Sequence, residues 1–175
     1  MVRDILIYPD KRLKLISEEV TLFDSQLHTL LDDMYDTMIS KGGVGLAGIQ
    51  IGVPKRVLII NIPIKGAEDE SEQPRDNTLE IINPKLLKKS GREKHQEGCL
   101  SVPSIYEDVE RAKYISIEYQ DRFGNLCHIE DDDFLAVAIQ HEIDHLDGKL
   151  FIEKLSFTKR KKFEKEWKKR RRNTL

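Results

Sequence analysis

The sequence has few cysteines and no long apolar run. It contains two cysteines, Cys99 and Cys127, in 175 residues, which excludes a disulfide framework and favours a reducing compartment. No apolar stretch approaches the roughly 18 residues that a membrane-spanning helix needs. The first residues lack the apolar region and the small-residue cleavage site of a secretory signal peptide. We therefore expect a cytoplasmic protein that does not enter a membrane.

Glycine and proline are also scarce. The chain has 10 Gly and 6 Pro, and 39% of its residues are apolar, which excludes collagen-like and disordered chains. Its 175 residues fit one domain, because domains hold roughly 100–200 residues. We expect a body at residues 1–156, with a basic C-terminal helix and tail at residues 157–175 packed on it.

Acidic and basic residues are unevenly distributed. The net charge is −2, yet residues 158–175 carry ten Lys or Arg and two Glu. A helix is predicted at residues 157–172, in which Phe163 and Trp167 lie one turn apart and form a narrow apolar stripe. This stripe can pack the helix on the body, while the basic remainder suits a polyanion. The stripe is too thin to favour membrane insertion.

Hydrophobic periodicity divides the rest of the chain into helices and short strands. Pro84 is expected to end one strand, and the last two strands are expected to form a hairpin. Short strands gathered before a late helix predict an α+β fold rather than alternating β-α-β units. Helices are predicted at residues 24–41 and 132–147, and strands at residues 56–61, 79–83, 113–119 and 126–130.

The second of these helices carries the segment HEIDH at residues 141–145. Residues i and i+4 share one helical face, so His141 and His145 can bind one metal ion, as in an HExxH motif. Glu142 follows the first histidine, where it can serve as general base and then general acid. We expect short antiparallel sheets packed around this central metal-bearing helix, with an N-terminal helix and a basic C-terminal helix.

A four-coordinate metal also needs a third ligand, for which Cys99 is the strongest candidate. Gly98 precedes it and permits a tight turn. A thiolate and two imidazoles leave one coordination position for water, as in catalytic sites. An isolated cysteine can equally be a small buried apolar residue. The competing third ligands are His28, His95 and Cys127.

Three segments, in this order, resemble the signature motifs of the peptide deformylase family. They are GVGLAGIQ at residues 43–50, EGCLS at residues 97–101 and QHEIDH at residues 140–145. Residues 8–10 and 147–151 are similar to the family as well, so the resemblance covers most of the chain. The body would then be a deformylase-like catalytic domain, and the basic C-terminal helix resembles the bacterial form of the family.

The chain departs from the family pattern in two places. Many members have Ala-Ala-Pro-Gln where this chain has Ala47-Gly48-Ile49-Gln50. The glutamine is kept, while Gly48 and Ile49 are expected to alter the rigidity of the loop or the edge of the pocket. Ser104 stands where glycine is common, which bears on the geometry of that turn.

The resemblance implies removal of the formyl group from the N-terminal formyl-methionine of nascent proteins. It implies one divalent metal ion held by Cys99, His141 and His145, with Fe(II) expected in the cell and Zn(II) or Ni(II) in a purified sample. It further implies that the basic C-terminal helix docks on the ribosome. The expected partners are thus N-formylmethionyl peptides of nascent chains and the ribosome, with no membrane.

The implied chemistry is attack of a metal-bound hydroxide on the formyl carbon. The metal lowers the pKa of its water toward about 7, and Glu142 accepts the proton of that water and delivers it to the leaving amine. Negative charge on the formyl oxygen needs hydrogen-bond donors already in place. The family's donors correspond to the side chain of Gln50 and the backbone N–H of Leu100.

Helical spacing predicts an apolar pocket for the methionine side chain beside the metal. Val44, on the glycine-rich loop, is expected to cover this pocket. The backbone of Val44 and Gly45 is expected to pair with an extended peptide, as a strand adds to a sheet edge. Three residues that lie 7, 4 and 3 positions before His141 are expected to be buried and to line the pocket, namely Phe134, Val137 and Ala138.

Carboxylates are expected around the metal ligands, because metal-bound imidazoles usually donate their second N–H to a carboxylate or a carbonyl. Glu97 and Asp144 are the candidates. Arg111 is expected to pair with Glu97 and to hold that loop in place. The alternative for these residues is an ordinary role as surface charges.

Two other functions fit parts of the sequence. A zinc endopeptidase would use the same HExxH segment, but no histidine follows His145, and the nearby downstream acids are Asp147 and Glu153. An RNA-binding module with a structural metal would use the basic tail, although a closed site needs a fourth ligand. Turnover of formyl peptides, and its loss when Glu142 is changed to Ala, separates a deformylase from both.

Overall fold

The structure is a computed structural model that describes residues 1–64 and 72–173. These residues form three α helices, seven β strands and four short 3-10 helices, so the expected α+β class is confirmed. The tail residues 174–175 lie outside the described residues. The elements are α1 (Ser25–Ser40), α2 (Phe134–Leu146), α3 (Phe157–Asn173), β1 (Gly45–Ala47), β2 (Val57–Ile60), β3 (Leu79–Ser90), β4 (Glu93–Cys99), β5 (Val102–Arg111), β6 (Tyr114–Gln120), β7 (Leu126–Asp131), and 3-10 helices at Lys11–Lys14, Gly48–Ile51, Arg75–Asn77 and Phe151–Lys154.

The strands form two antiparallel sheets. A five-stranded sheet has the order β1-β2-β3-β6-β7, and β4 pairs with β5 in a separate two-stranded sheet. The expected hairpin is confirmed as β6 and β7. Its inward face is apolar because Ile115, Ile117 and Tyr119 alternate along β6 and are all buried. The β4-β5 sheet was not among the strands that the sequence predicts.

Strand β3 is longer than expected, and the prediction that Pro84 ends it is wrong. The pairing of β3 with β6 shifts register between Ile82 and Lys85, so Pro84, which has no N–H to donate, sits where the ladder is already interrupted. Asn83 has a φ of 51° at this point. Its side chain accepts from the backbone N–H of Val20 and donates to the carbonyl of Val20, at 2.8 Å each. Pairing with β6 resumes at Lys85, opposite Glu118, so the strand continues past the proline.

Helix α1 begins and ends where the sequence predicts, to within a residue. The side chain of Asp24 accepts hydrogen bonds from the backbone N–H groups of Gln26 and Leu27, which caps the first turn. Beyond the helix, Gly42 has a φ of 65°, a conformation that stops helices and favours glycine. The apolar face of α1 packs against β1 and β2 through Leu27, Leu31, Met34, Met38, Leu46 and Ile59.

Helix α2 is the central helix of the fold. It lies against β1 and β2 of the larger sheet, and its middle turns are buried. Its apolar residues share one core with the sheet, which includes Leu58, Ile60, Ile81, Ile115, Ile117, Ala136, Ala138, Ile139 and Leu146. The last two turns of α2 are thereby held rigidly inside the protein, which matters because they carry the polar residues of the site.

Helix α3 contacts the body through its two aromatic residues. The rings of Phe163 and Trp167 lie 5.5 and 5.7 Å from the ring of Tyr8. Both belong to a core that also contains Val102 and Ile105 of β5. In the ranges that the structure describes, no helix combines the length and the apolar character needed to cross a bilayer.

Candidate active site

Helix α2 and the end of β4 bring together three side-chain atoms of types that can bind a metal ion, which we call the metal-binding atoms. The Sγ atom of Cys99 lies 3.3 Å from Nε2 of His145, and the Nε2 atoms of His141 and His145 are 3.2 Å apart. All three ligand atoms lie within 4.8 Å of one another. Across residues 1–64 and 72–173 this is the one cluster of Cys, His, Asp or Glu side chains arranged to hold a metal ion.

The spacing of these atoms fits a bound metal ion. Tetrahedral zinc with its usual bond lengths places two nitrogen ligands roughly 3.3 Å apart, and a nitrogen and a sulfur roughly 3.6 Å apart. The observed separations of 3.2 and 3.3 Å agree with this to a few tenths of an ångström. The donors of Cys99, His141 and His145 point at one buried position, and a cation there would satisfy all three.

The second nitrogen of His141 is held by a carboxylate. Nδ1 of His141 lies 2.7 Å from Oε1 of Glu97. Burial by itself raises the pKa of Glu97, but hydrogen bonds from His141 and Arg111 outweigh burial and lower this pKa to about 2. Glu97 is therefore an ionised acceptor, so Nδ1 of His141 donates to it, and Nε2 is the ring nitrogen directed toward Cys99 and His145.

The two imidazoles differ in their affinity for protons. Burial lowers the pKa of His145 well below its usual value, and the charges of His141 and Arg111 lower it further, so its imidazole is neutral. Burial alone lowers the pKa of His141 too, but hydrogen bonds with Cys99 and Glu97 outweigh burial and raise it to about 10. A proton and a metal ion therefore compete for Nε2 of His141.

Arg111 links the β4-β5 sheet to helix α2. Its Nε and Nη2 atoms donate to both oxygens of Glu97, and its Nη1 donates to Asp144 at 2.9 Å. Only 2% of its side chain is exposed. Asp144, the other carboxylate considered for an imidazole, accepts instead from Arg111 and pairs with Lys154 at 3.6 Å. The positive charge of Arg111 thus offsets the negative charges of two carboxylates, Glu97 and Asp144, beside the metal-binding atoms.

Glu142 is a buried carboxyl next to the first histidine. It is 5% exposed, and among the described residues its Oε2 has no hydrogen-bond partner. Burial raises the pKa of Glu142 to about 7, although the charges of His141 and Arg111 oppose this. A carboxyl with a pKa near neutrality can both accept and donate a proton.

Gln50 is buried, and its amide is fixed at both ends. Oε1 accepts from the backbone N–H of Ala47 at 2.9 Å. Nε2 donates to Oγ of Ser101 at 3.1 Å and lies 3.5 Å from Sγ of Cys99. The amide nitrogen is therefore directed toward the metal-binding atoms, where it can donate to a substrate oxygen. Ser101 was given no role from sequence, although it lies within the second motif.

A cavity of about 410 Å³ opens beside these groups. Its volume falls within the range of small-ligand sites. Phe134 was expected to be buried, but it is 43% exposed, because it is the first residue of α2 and lies where the cavity opens. The sequence-predicted pocket and donor residues all line this cavity, and they are Val44, Gly45, Gln50, Leu100, Phe134, Val137 and Ala138.

Strand β1 gives the cavity a sheet edge. It is the outermost strand of the larger sheet, paired on one side with β2. Just before it, the carbonyl of Val44 accepts from the backbone N–H of Asn61 at 2.9 Å. Gly43 packs closely on Leu100, because a Cβ at position 43 would lie 2.8 Å from Cδ1 of Leu100. The glycine-rich loop and the turn after β4 therefore touch each other, and both line the cavity.

The start of β5 forms a cavity wall that sequence reasoning missed. Pro103, Ser104, Ile105 and Tyr106 line the cavity. Burial in β5 does not alternate regularly, so the period-2 signal of a half-buried strand is absent there. The glycine normally found at position 104 in the family was the available signal, because Ser104 has a φ of 60°, in the left-handed region that favours glycine.

The two unusual residues of the first motif do not line the cavity, so the expected effect on its edge is not observed. Ile49 is fully buried in the core beside Leu58. A Cβ at Gly48 would lie 2.8 Å from Cγ2 of Val57 and 2.9 Å from the carbonyl oxygen of Val53. Position 48 therefore has no room for the alanine that many members of the family carry.

The three other residues considered as third metal ligands make contacts elsewhere in the protein. Nε2 of His28 lies 2.9 Å from the carbonyl oxygen of Arg122. His95 faces Glu93 at 3.5 Å, and Sγ of Cys127 lies 3.5 Å from the carbonyl oxygen of Asn125. In the described part of the chain, none of these three joins the cluster of metal-binding atoms.

Comparison with known sequences identifies a family. The family model described as Polypeptide deformylase matches residues 2–161. A protein named peptide deformylase from Wolinella succinogenes is 57% identical over 171 residues, which cover 98% of this chain and 98% of that protein.

Comparison with solved structures agrees. A peptide deformylase from Legionella pneumophila has a TM-score of 0.87 and 40% identity, covering 99% of this chain and 98% of that one. A peptide deformylase from Ehrlichia chaffeensis in complex with actinonin has a TM-score of 0.86 and 42% identity, covering 97% of each chain.

Proposed function

We propose that this chain, which belongs to the polypeptide deformylase family, removes N-terminal formyl groups with a divalent metal ion held by Cys99, His141 and His145. Members of this family are hydrolases that remove N-terminal formyl groups. The observation that carries the proposal is the convergence of these three ligand atoms within 4.8 Å. They lie beside the cavity that Glu142 also lines. The substrate proposed is the N-formylmethionyl end of nascent chains.

The residues around the ligands are suited to hydrolysis. When bound, a divalent ion would act as a Lewis acid and bring the pKa of a water molecule toward neutrality. Glu142 accepts the proton that this water gives up, because its own pKa is about 7 and it lies beside His141 in the chain. The same carboxyl then delivers the proton to the amine that leaves.

Gln50 and Leu100 are proposed to stabilise charge on the formyl oxygen. The Gln50 amide is oriented before substrate arrives, since Ala47 and Ser101 hold its two ends. A donor that is already oriented needs no reorganisation when charge develops on the oxygen. The backbone N–H of Leu100 is the second donor proposed, from the turn that follows Cys99.

The cavity is proposed to bind the methionine side chain and the peptide backbone of the substrate. Val137 and Ala138 are buried in the wall formed by α2 and offer an apolar slot for an unbranched side chain. The edge strand β1, preceded by Val44, offers backbone groups to an extended peptide. Recognition by backbone pairing would make the enzyme insensitive to most side chains that follow the methionine in the substrate.

The metal is proposed to be Fe(II) in the cell, with Zn(II) or Ni(II) found in purified samples. A thiolate with two imidazoles accepts all three ions, so the ligand set alone does not choose among them. In the described ranges no fourth Cys or His joins the cluster. This favours a catalytic site with an open position over a closed structural site.

Helix α3 is proposed to dock on the ribosome. Phe163 and Trp167 face the body, and the rest of the helix presents exposed cations. RNA phosphates attract such a surface in a salt-dependent way. The exposed basic residues are Arg160, Lys161, Lys162, Lys165, Lys168, Lys169, Arg170, Arg171 and Arg172.

The experiment that tests the proposed function compares two substrates. The metal-loaded protein is incubated with formyl-Met-Ala-Ser and, separately, with an unstructured protein that has only internal amide bonds. We expect formate from the first and no new amines from the second. Cleavage of internal amides would instead support an endopeptidase, and no reaction with either substrate would contradict the proposal.

A further inference from the structure

One wall of the cavity begins with a residue in an unfavourable backbone conformation. Ser104 has a φ of 60°, a region that residues other than glycine rarely adopt. It is exposed on the surface and lies between Pro103 and Ile105, which line the cavity with it. This turn needs contacts from elsewhere in the protein to remain in place.

The C-terminal helix supplies such contacts. Nη1 of Arg170 donates to the carbonyl oxygen of Ser104 at 3.2 Å and lies 3.5 Å from that of Pro103. The two carbonyls stand on either side of the left-handed residue. The guanidinium of Arg170, in the last turns of α3, thereby contacts the peptide groups before and after Ser104.

Helix α3 is itself firmly attached to the same strand. Near its beginning, Nζ of Lys159 pairs with Glu107 of β5 at 3.0 Å. In its middle, Phe163 and Trp167 share a core with Ile105. These contacts hold the helix along β5, so the backbone of α3 keeps Arg170 close to Pro103 and Ser104.

Tyr106 follows Ser104 by two residues. Its ring sits directly over Gly98, since a Cβ at position 98 would lie 2.5 Å from Cε1 of Tyr106. Gly98 is next to Cys99, so the ring and the ligand lie at one side of the same cavity. A shift of residues 103–104 would move this wall.

We propose that Arg170 is a positioning residue for the substrate cavity: it holds Pro103 and Ser104 in the left-handed turn and thereby places the wall at Ile105 and Tyr106. This inference rests on the proposed function, because the wall is assigned to the bound peptide. Within the part of the chain that the structure describes, none of the contacts given above for Glu142, Gln50 and the ligands involves Arg170. Its loss should therefore weaken substrate binding and leave the chemical step intact.

The first test compares Arg170→Gln with a matched control, Lys169→Gln. Both remove one positive charge from the same turn of α3, but only Arg170 contacts the cavity wall through the hydrogen bonds described. With metal-loaded protein and formyl-Met-Ala-Ser, we expect KM to rise about fivefold in Arg170→Gln, as one charged hydrogen bond allows, with kcat within about twofold of the parent. Equal KM values in the two variants would overturn the proposal.

Two further variants show whether the effect passes through the turn. Arg170→Lys keeps the charge and a donor, so it should recover part of the lost affinity. In a Ser104→Gly background, glycine adopts the left-handed conformation without support, so Arg170→Gln should change KM by less than about twofold. An undiminished change in that background would overturn the proposal.

A binding measurement separates this inference from the proposed function. The affinity of the product peptide Met-Ala-Ser for each metal-loaded protein is measured by calorimetry, which requires no turnover. Weaker binding to Arg170→Gln than to Lys169→Gln, with matching circular dichroism spectra, supports the positioning role. Equal binding contradicts it, even if the parent protein releases formate.

Discussion

The carboxyl group of Glu142 occupies space that a glycine at position 45 leaves open. A Cβ at Gly45 would lie 2.5 Å from Oε1 of Glu142, a separation that real Cβ atoms do not show. Gly45 begins β1, whose backbone is fixed by pairing with Ile60 of β2. The backbone at position 45 therefore cannot easily move away from Glu142. The glycine-rich loop therefore positions the proposed acid and base.

Gly45→Ala should reduce turnover strongly while keeping the fold. The new methyl group would displace the carboxyl of Glu142, and displacing a general base typically costs about 10²- to 10⁴-fold in rate. The measurement is kcat for formyl-Met-Ala-Ser with metal content determined in parallel. In a Glu142→Asp background the 2.5 Å contact with Oε1 is removed, so Gly45→Ala should cost less there. An unchanged kcat in the single variant would contradict this role.

Glu97→Gln should weaken metal binding. The carboxylate orients His141 by accepting its Nδ1–H at 2.7 Å, and loss of such partners typically costs about 10- to 100-fold in metal affinity. Titration against a chelator of known affinity measures the change. Glu110→Gln, at an exposed position of β5, is the control and should bind metal as the parent does. Equal affinities in the two variants would show that Glu97 does not orient a ligand.

Arg111→Met should destabilise the protein. It would leave Glu97 and Asp144 without their shared cation, and unpairing buried ionic groups costs roughly 3–5 kcal/mol. Urea unfolding at equal metal loading measures the free energy of unfolding. The control is Arg12→Met, which breaks an exposed pair with Asp10 and should have a much smaller effect on the free energy of unfolding, because solvent screens exposed pairs. Similar losses in both variants would mean that burial does not strengthen the Arg111 network.

Gly48→Ala should also destabilise the protein. The added methyl group would meet the side chain of Val57 at 2.8 Å and the backbone of Val53 at 2.9 Å. Overpacking of this kind costs typically about 1–3 kcal/mol. Thermal and urea unfolding measure the loss, and a variant as stable as the parent would show that this loop adjusts freely.

Local signals in the sequence were sufficient for the helices and for part of the site. Helix α1 follows from the apolar spacing of Leu27, Leu31 and Met34 and from the cap at Asp24, which are all local features. The pair His141 and His145 follows from helical geometry alone. Their common face predicts where the ligand atoms of α2 meet.

Other parts depend on tertiary contacts that a single sequence does not display. The β4-β5 sheet lacks regular alternation, because one of its faces contacts α3 and residues near its turn face the cavity. Pro84 was wrongly expected to end β3, because pairing with β6 resumes at Lys85, opposite Glu118, and β6 is distant in sequence. The contact of Arg170 with Ser104 likewise joins residues that only the folded chain brings together.

The most direct test of the account is formate release by the metal-loaded protein beside a Glu142→Gln variant with equal metal content. Both are reconstituted anaerobically with Fe(II) and given formyl-Met-Ala-Ser. We predict that the parent releases formate and that the variant is slower by at least about 100-fold, because it has no carboxyl to move the proton. A fully metallated, folded parent that releases no formate, or a variant as fast as the parent, would contradict the account.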